Sequence, residues 1–280
     1  MKTLYRLLLF AFCLLMVAQA YAQIEVRLEP VRKDFVVGEA IAFKITIANH
    51  TDATIPLRNT PGRPWLNVAL FRRGEHNPIS PHAVARFPEI TLTPGSSRSF
   101  QFNIGSMYRI STTGGYYAIA TVRMPDGHTT HGSNRALFAT TNGGKLRDFN
   151  VSVRGQHLNL SLRLTSVNGK QCIFGQVKNT DTNQVIRACF LAEYLNFMRP
   201  SVLLDGAFNM HVLCQSTPEF YTYAVMDTHG KRTSAKLYKR SGDTVDLIGT
   251  GKGIFPIGLT PYVAPEPGKE NIHKASERPF

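Results

Sequence analysis

The sequence predicts an all-β protein, with two antiparallel β domains in series after an N-terminal export segment. Three observations carry this. Apolar residues recur with a period of two, the alternating runs are short, and Gly, Pro, Asn and Asp punctuate them. Helical periodicity is nearly absent beyond residue 23, and VIRACFLAEYL (185–195) is the one stretch that could form a short helix.

The first segment, MKTLYRLLLFAFCLLMVAQAYAQ, has a positive start at Lys2 and Arg6 and a twelve-residue apolar run from Leu7 to Ala18. Small residues then offer cleavage after Ala20 or Ala22. Twelve apolar residues fall short of the ~20 that span a bilayer, so residues 1–22 read as a signal peptide. The chain is expected to be exported to the periplasm, cell surface or medium, with no transmembrane segment after signal removal. The full chain has a formal net charge of +13, and loss of Lys2 and Arg6 leaves 30 basic residues against 19 acidic, or +11. That excess favours acidic partners. The basic residues are spread along the chain, densest in KRTSAKLYKR (231–240), and no zinc-finger, RNP or basic-zipper pattern occurs. Nucleic acid is therefore not an expected partner.

Residues 23–142 form the first predicted domain. Ile24, Val26 and Leu28 alternate, as do Ile41, Phe43, Ile45 and Ile47, then Leu66, Val68 and Leu70. Phe100, Phe102 and Ile104 follow the turn LTPGSS. GGYYAIATVRM supplies Tyr117, Ile119 and Thr121 or their alternates, and Asp126-Gly127 turns the chain toward RALFAT. About seven strands in roughly 120 residues match one immunoglobulin-like sandwich. The order VVGEAIAFKITIANHTDATIPL, LTPGSSRSFQFNI, GGYYAIATVRMPDG resembles the Ig-like and fibronectin-like modules of exported bacterial proteins, including one proteinase-inhibitor family. That resemblance covers residues 24–142 and implies a fold; modules of this kind serve adhesion, spacing, inhibition and assembly alike.

TTNGGKLRDF opens a polar, Gly-rich stretch, read as a linker leading into the second domain over 143–157. Residues 158–263 carry further short runs and are expected to form a second, smaller antiparallel β domain, a meander. Within it VLLDGAFNMHVL and AVMDTHGKRTSA repeat one plan: apolar strand, Asp, turn, returning strand. The first of these patterns resembles a unit of uncharacterised exported bacterial proteins. The Pro- and charge-rich end, 264–280, reads as a disordered tail.

Candidate chemistry concentrates in LLDGAFNMHVLCQ (203–215), which holds Asp205, His211 and Cys214. A Cys-His hydrolase needs thiolate and imidazole side by side. Residues three apart on a strand point to opposite faces, and Asp205-Gly206 suits a turn, so no catalytic residue is expected here. Cys172 and Cys189 form a candidate disulfide if the intervening loop centres between Thr180 and Asp181; buried thiols are the alternative. Asp126, His128 and His131 share the segment PDGHTTHGS, but histidines at i and i+3 converge on a helix, whereas this reads as a hairpin tip. No metal or cofactor is expected, and no common catalytic or nucleotide motif occurs. Tyr221 and Tyr223, if they face outward near Lys236, Lys239 and Arg240, would make an aromatic and basic surface. The alternative is an aromatic ladder within the sheet.

The expected function is that of a non-enzymatic exported binding or structural protein, recognising a protein or an anionic glycan or envelope component through a β surface. The alternatives are an enzyme whose centre gathers distant residues including His211, and a proteinase inhibitor acting through an Ig-like loop.

Overall fold

A computed structural model describes residues 24–263; the readings of 1–22 as a signal and of 264–280 as a tail lie outside the described residues. The chain divides into two units at Thr141/Asn142. Among the described residues the structure is all-β, with one 3₁₀ turn at Ile104–Ser106.

In the first unit the strands are β1 (Ile24–Pro30), β2 (Asp34–Val36), β3 (Ala42–Asn49), β4 (Ile55–Leu57), β5 (Leu66–Arg72), β6 (Ile90–Leu92), β7 (Ser97–Asn103), β8 (Gly114–Arg123), β9 (Thr130–Gly132) and β10 (Ala136–Thr141). One sheet runs β1-β3-β7 and another β2-β10-β8-β5, with β9 pairing the far end of β8 and β4 pairing β6 separately. All neighbours are antiparallel except β2 and β10. The period-two residues meet in one core: Val26 and Leu28 of β1, Phe43, Ile45 and Ile47 of β3, and Leu66, Val68 and Leu70 of β5 are buried. Burial of each such side chain is worth ~1.5–3 kcal/mol. On β8 the alternates point inward, Tyr116, Ala118, Ala120 and Val122. Tyr116 Oη donates 3.0 Å to the Thr112 carbonyl, closing the corner before its strand. Between β9 and β10, Asn134 accepts from Leu28 N (2.9 Å) and donates to Leu28 O (3.0 Å), so one side chain ties β1 to this break.

The second unit contains β11 (Gly144–Val153), β12 (Gln156–Val167), β13 (Lys170–Asn179), β14 (Gln184–Glu193), β15 (Ser201–Leu204), β16 (Met210–Gln215), β17 (Phe220–Met226), β18 (Arg232–Arg240), β19 (Asp246–Thr250), β20 (Gly253–Ile257) and β21 (Leu259–Pro261). β11 to β14 form a four-stranded meander, β15 to β18 with β21 a five-stranded sheet, and β19–β20 a hairpin. The β12–β13 turn, Asn168-Gly169, has φ of 51° and 79°, the pair of positive values that matches strand twist in a two-residue hairpin. Leu158, Leu160, Leu162, Ile173 and Val177 of the first sheet pack with Val202, Met210, Val212, Cys214 and Met226 of the second. A further cluster on the other face of β16–β18 joins Leu213, Tyr221, Tyr223 and Tyr238 to Leu247 and Ile254 of the hairpin. All six residues of β16 are therefore buried.

Two expectations need correcting. Residues 143–157 are not a linker, because they contain β11 and the start of β12. β11 is an edge strand whose only core contacts are the half-buried Phe149, Val151 and Val153, so its polar composition disguised the alternation. VIRACFLAEYL falls in strand β14, not a helix; its pairing with β13 shifts twice, and each shift interrupts the period of two.

Candidate functional site

The tip of the β15–β16 hairpin is a three-residue loop built around Asp205. Asp205 N–H donates to Asn209 O (3.1 Å) and Phe208 N–H to Asp205 O (3.0 Å), while Asp205 Oδ1 accepts from the N–H groups of Ala207 (2.9 Å) and Asn209 (2.8 Å). The β17–β18 hairpin repeats this plan. Asp227 N–H donates to Lys231 O (3.0 Å), and its Oδ1 accepts from His229 N (2.9 Å) and Lys231 N (2.8 Å). The fourth residue in each is left-handed, Phe208 at φ 62° and Gly230 at φ 73°.

Asp205 is also one end of a hydrogen-bonded chain. Its Oδ2 accepts from Asn209 Nδ2 (2.8 Å) and lies 3.1 Å from His211 Nε2. His211 Nδ1 lies 2.6 Å from Tyr223 Oη, which reaches Ile254 O at 3.1 Å. Burial raises the Asp205 carboxyl, but the Asn209 and His211 side chains and the backbone N–H groups of Asn209 and Ala207 outweigh it and hold the group below its ordinary value. Burial pushes Tyr223 up. Both imidazole nitrogens are occupied by protein groups, so the chain fastens the hairpin tip to β20 and presents no unengaged ring nitrogen.

Cys214 is not part of this chain. It lies in the core between the two sheets, on the face of β16 opposite His211, where burial pushes its thiol up to about 12. Cys172 and Cys189 do not face each other: Cys172 pairs with Glu193, and Cys189 with Gly175. The β13–β14 loop closes between Asn179 and Gln184, one residue later than a facing pair requires, and the two register shifts widen the offset. Burial pushes Cys189 up to about 11.

Tyr221 and Tyr223 do not form an outward surface. They are 3% and 9% exposed, packed with Tyr238, Leu247 and Ile254. The expected aromatic surface is absent because the β19–β20 hairpin covers that face; Lys236, Lys239 and Arg240 remain exposed. Asp126 spends its carboxylate on its own turn, accepting from His128 N (2.9 Å), Thr129 N (2.9 Å) and Thr129 Oγ1 (2.5 Å). Among the described residues no group of three His, Cys, Asp or Glu side chains is placed to hold a metal, so Asp126, His128 and His131 do not gather as one.

A different site emerges in the first unit. A cleft of about 340 Å³ is lined by Pro56, Arg58, Thr60, Arg63, Trp65, Arg123, Met124, Pro125 and Gly127. Two tight turns wall it. Thr60-Pro61-Gly62-Arg63 closes with Arg63 N–H to Thr60 O (2.9 Å) and Thr60 N–H to Arg63 O (3.1 Å), and Gly62 takes φ 71° behind the proline. Met124-Pro125-Asp126-Gly127 closes with Gly127 N–H to Met124 O (3.0 Å), with Gly127 at φ 75°. Pairing of β5 with β8 carries Trp65 beside Arg123, whose N–H donates 2.7 Å to Trp65 O.

No carboxylate lines this cleft, and among the described residues Arg58, Arg63 and Arg123 form no ion pair. Arg123 Nη1 is buried without a hydrogen-bond acceptor, a condition that costs ~1–3 kcal/mol or more for a charged group. Three forked donors beside an indole, a methionine and two prolines suit an anion with an apolar face. Sequence reasoning missed these residues. The three arginines are scattered over 65 positions among many others, and only strand pairing and the two Pro-Gly-type turns bring them together.

No helix among the described residues is long and apolar enough to cross a membrane. No protein-family model matches the chain, and no curated protein matches it significantly.

Proposed function

We propose that this chain is an exported, non-enzymatic binding protein that recognises an acidic partner of the cell envelope or extracellular space through the arginine cleft. The observation that carries the reading is Arg123: a buried guanidinium nitrogen lacking an acceptor, beside Arg58 and Arg63 and away from any lining carboxylate. An anionic group bound in the cleft would pair with these three guanidinium groups, and a small shift of the Arg123 side chain would bring its Nη1 to it. Export is supported by the sequence of residues 1–22 and acidic recognition by the net charge of +11 that remains without Lys2 and Arg6. An Ig-like assignment of the first unit is supported by its strand order, β1-β3-β7 opposite β2-β10-β8-β5, and by the Tyr116–Thr112 corner.

Trp65 is the single tryptophan and lines the cleft, so its fluorescence reports occupancy. Titration with inorganic phosphate and with glucuronate is expected to give a saturable change, weakened at least tenfold in Arg123→Gln. No saturable change with either anion refutes the reading. Fractionation of cells expressing the full chain tests export; retention in the cytoplasm would refute that part.

A further inference from the structure

The arginine cleft does not stand alone. A second cleft of about 370 Å³ adjoins it, sharing Met124 and Pro125 as a common wall. Beside the apolar Ile24, Ala53 and Ile55, its lining differs in charge: Thr51, Asp52, Asp126, Thr129 and His131 bring hydroxyls, carboxylates and an imidazole to it. The loop bearing Thr51 and Asp52 is fixed from below by Asn49, which is fully buried. Asn49 Nδ2 donates to Ala53 O (2.8 Å), Leu92 O (3.2 Å) and Thr93 O (3.2 Å), and its Oδ1 accepts from Thr51 N (3.0 Å) and Thr51 Oγ1 (2.7 Å). Asp52 itself makes no hydrogen bond or ion pair among the described residues, so its carboxylate is an open acceptor held on an ordered loop.

Resting on the anion-recognition reading, we propose that the two clefts form one extended site for an acidic saccharide. The carboxylate- or phosphate-bearing sugar occupies the arginine cleft, and an adjoining uncharged sugar lies in the second cleft with its hydroxyls toward Asp52 and His131. The charge pattern selects this class. Three unpaired arginines accept one anionic group, but Asp52 and Asp126 next door repel a second. A polymer charged at every unit, such as nucleic acid or polyphosphate, places an anion against those carboxylates. A chain that alternates charged and neutral sugars instead brings hydroxyl donors to them. The ring faces of Pro56 and Pro125 and the Met124 thioether supply apolar area for the C–H face of a sugar, with the buried Trp65 indole packed beneath as the reporter. Each cavity lies at the small end of the ~300–1,000 Å³ typical of ligand sites, which suits one sugar unit apiece.

The test uses the full chain and Trp65 fluorescence with three probes: inorganic phosphate, glucuronate, and a glucuronate–N-acetylglucosamine disaccharide. The disaccharide is expected to bind about tenfold more tightly than glucuronate. Asp52→Ala combined with His131→Ala removes that gain and leaves glucuronate affinity within twofold, while Arg123→Gln weakens both ligands at least tenfold. Thermal unfolding of each variant close to that of the parent confirms that folding is intact. Equal affinity for glucuronate and disaccharide, or a gain that survives the double substitution, overturns the extended site while anion recognition stands. Tighter binding of an Asp/Glu-rich peptide than of the disaccharide assigns the site to acidic protein and overturns the saccharide. Absence of binding by all three probes removes both readings.

Discussion

Replacing His211 with leucine is expected to destabilise the second unit by about 1.5–3 kcal/mol, and the arithmetic follows from what surrounds the ring. The substitution removes the Nε2 contact to Asp205 and the Nδ1 contact to Tyr223. A hydrogen bond to a charged partner contributes ~1.5–3 kcal/mol and a neutral one ~1 kcal/mol. Neither partner is orphaned: Asp205 keeps the Ala207 and Asn209 donors, and Tyr223 keeps Ile254 O. Leucine is close to histidine in size, so the cavity cost is small, and its greater hydrophobicity returns ~1 kcal/mol. Urea unfolding followed by circular dichroism measures the change, and a double-mutant cycle with Tyr223→Phe is expected to give a coupling of ~1 kcal/mol. The cycle has an acid arm. The folded Asp205 carboxyl lies below its ordinary value, so its contribution is fully present above the unfolded value of about 3.9 and is lost as pH falls through the lower, folded one. Asp205→Asn should flatten that loss. A His211→Leu effect under ~0.5 kcal/mol, with zero coupling to Tyr223, would refute the claim that this chain fastens the hairpin to β20.

Three further predictions concern the same unit. Gly230→Ala places a Cβ 2.8 Å from Arg187 Cβ at a left-handed φ of 73°, and should cost at least ~1–2 kcal/mol in urea unfolding. Phe208→Gly at the matching position of the other hairpin should be neutral or stabilise by up to ~1 kcal/mol, and a loss there would mean that the aromatic side chain outweighs the backbone strain. With their thiols pushed to about 12 and about 11, Cys214 and Cys189 should alkylate with iodoacetamide at pH 8 at least a hundredfold more slowly in the folded chain than in urea; comparable rates would contradict their burial.

The physical consequence of the hairpin covering β16–β18 reaches beyond stability. It takes the aromatic face of that sheet out of contact with solvent and leaves the exposed cations of β18 without it. The cleft of the first unit keeps its cations beside apolar side chains instead: Arg123 has a buried nitrogen without an acceptor, and the walls are two short turns braced by proline and glycine. Turns of that kind hold their backbone with little entropy left to lose on binding.

The sequence by itself determined the fold class and much of the core. Period-two alternation is a local property, and once Ile41, Phe43, Ile45 and Ile47 share a face they must be covered together. Turn chemistry was equally local at Asp205, Asp126 and Asn168-Gly169. Tertiary structure alone decided whatever depends on how strands are paired and stacked. β11 hid as a linker because an edge strand buries few side chains, and β14 looked helical because two register shifts broke its alternation. Those same shifts widen the separation of Cys172 from Cys189 that the loop position sets. Tyr223 turned inward because a hairpin distant in sequence packs on its face, a layer that no strand announces in its own residues. The cleft was the least legible feature: Arg58 and Arg63 meet Arg123 only through the β5–β8 register, and a guanidinium without an acceptor has no signature until its surroundings are in place.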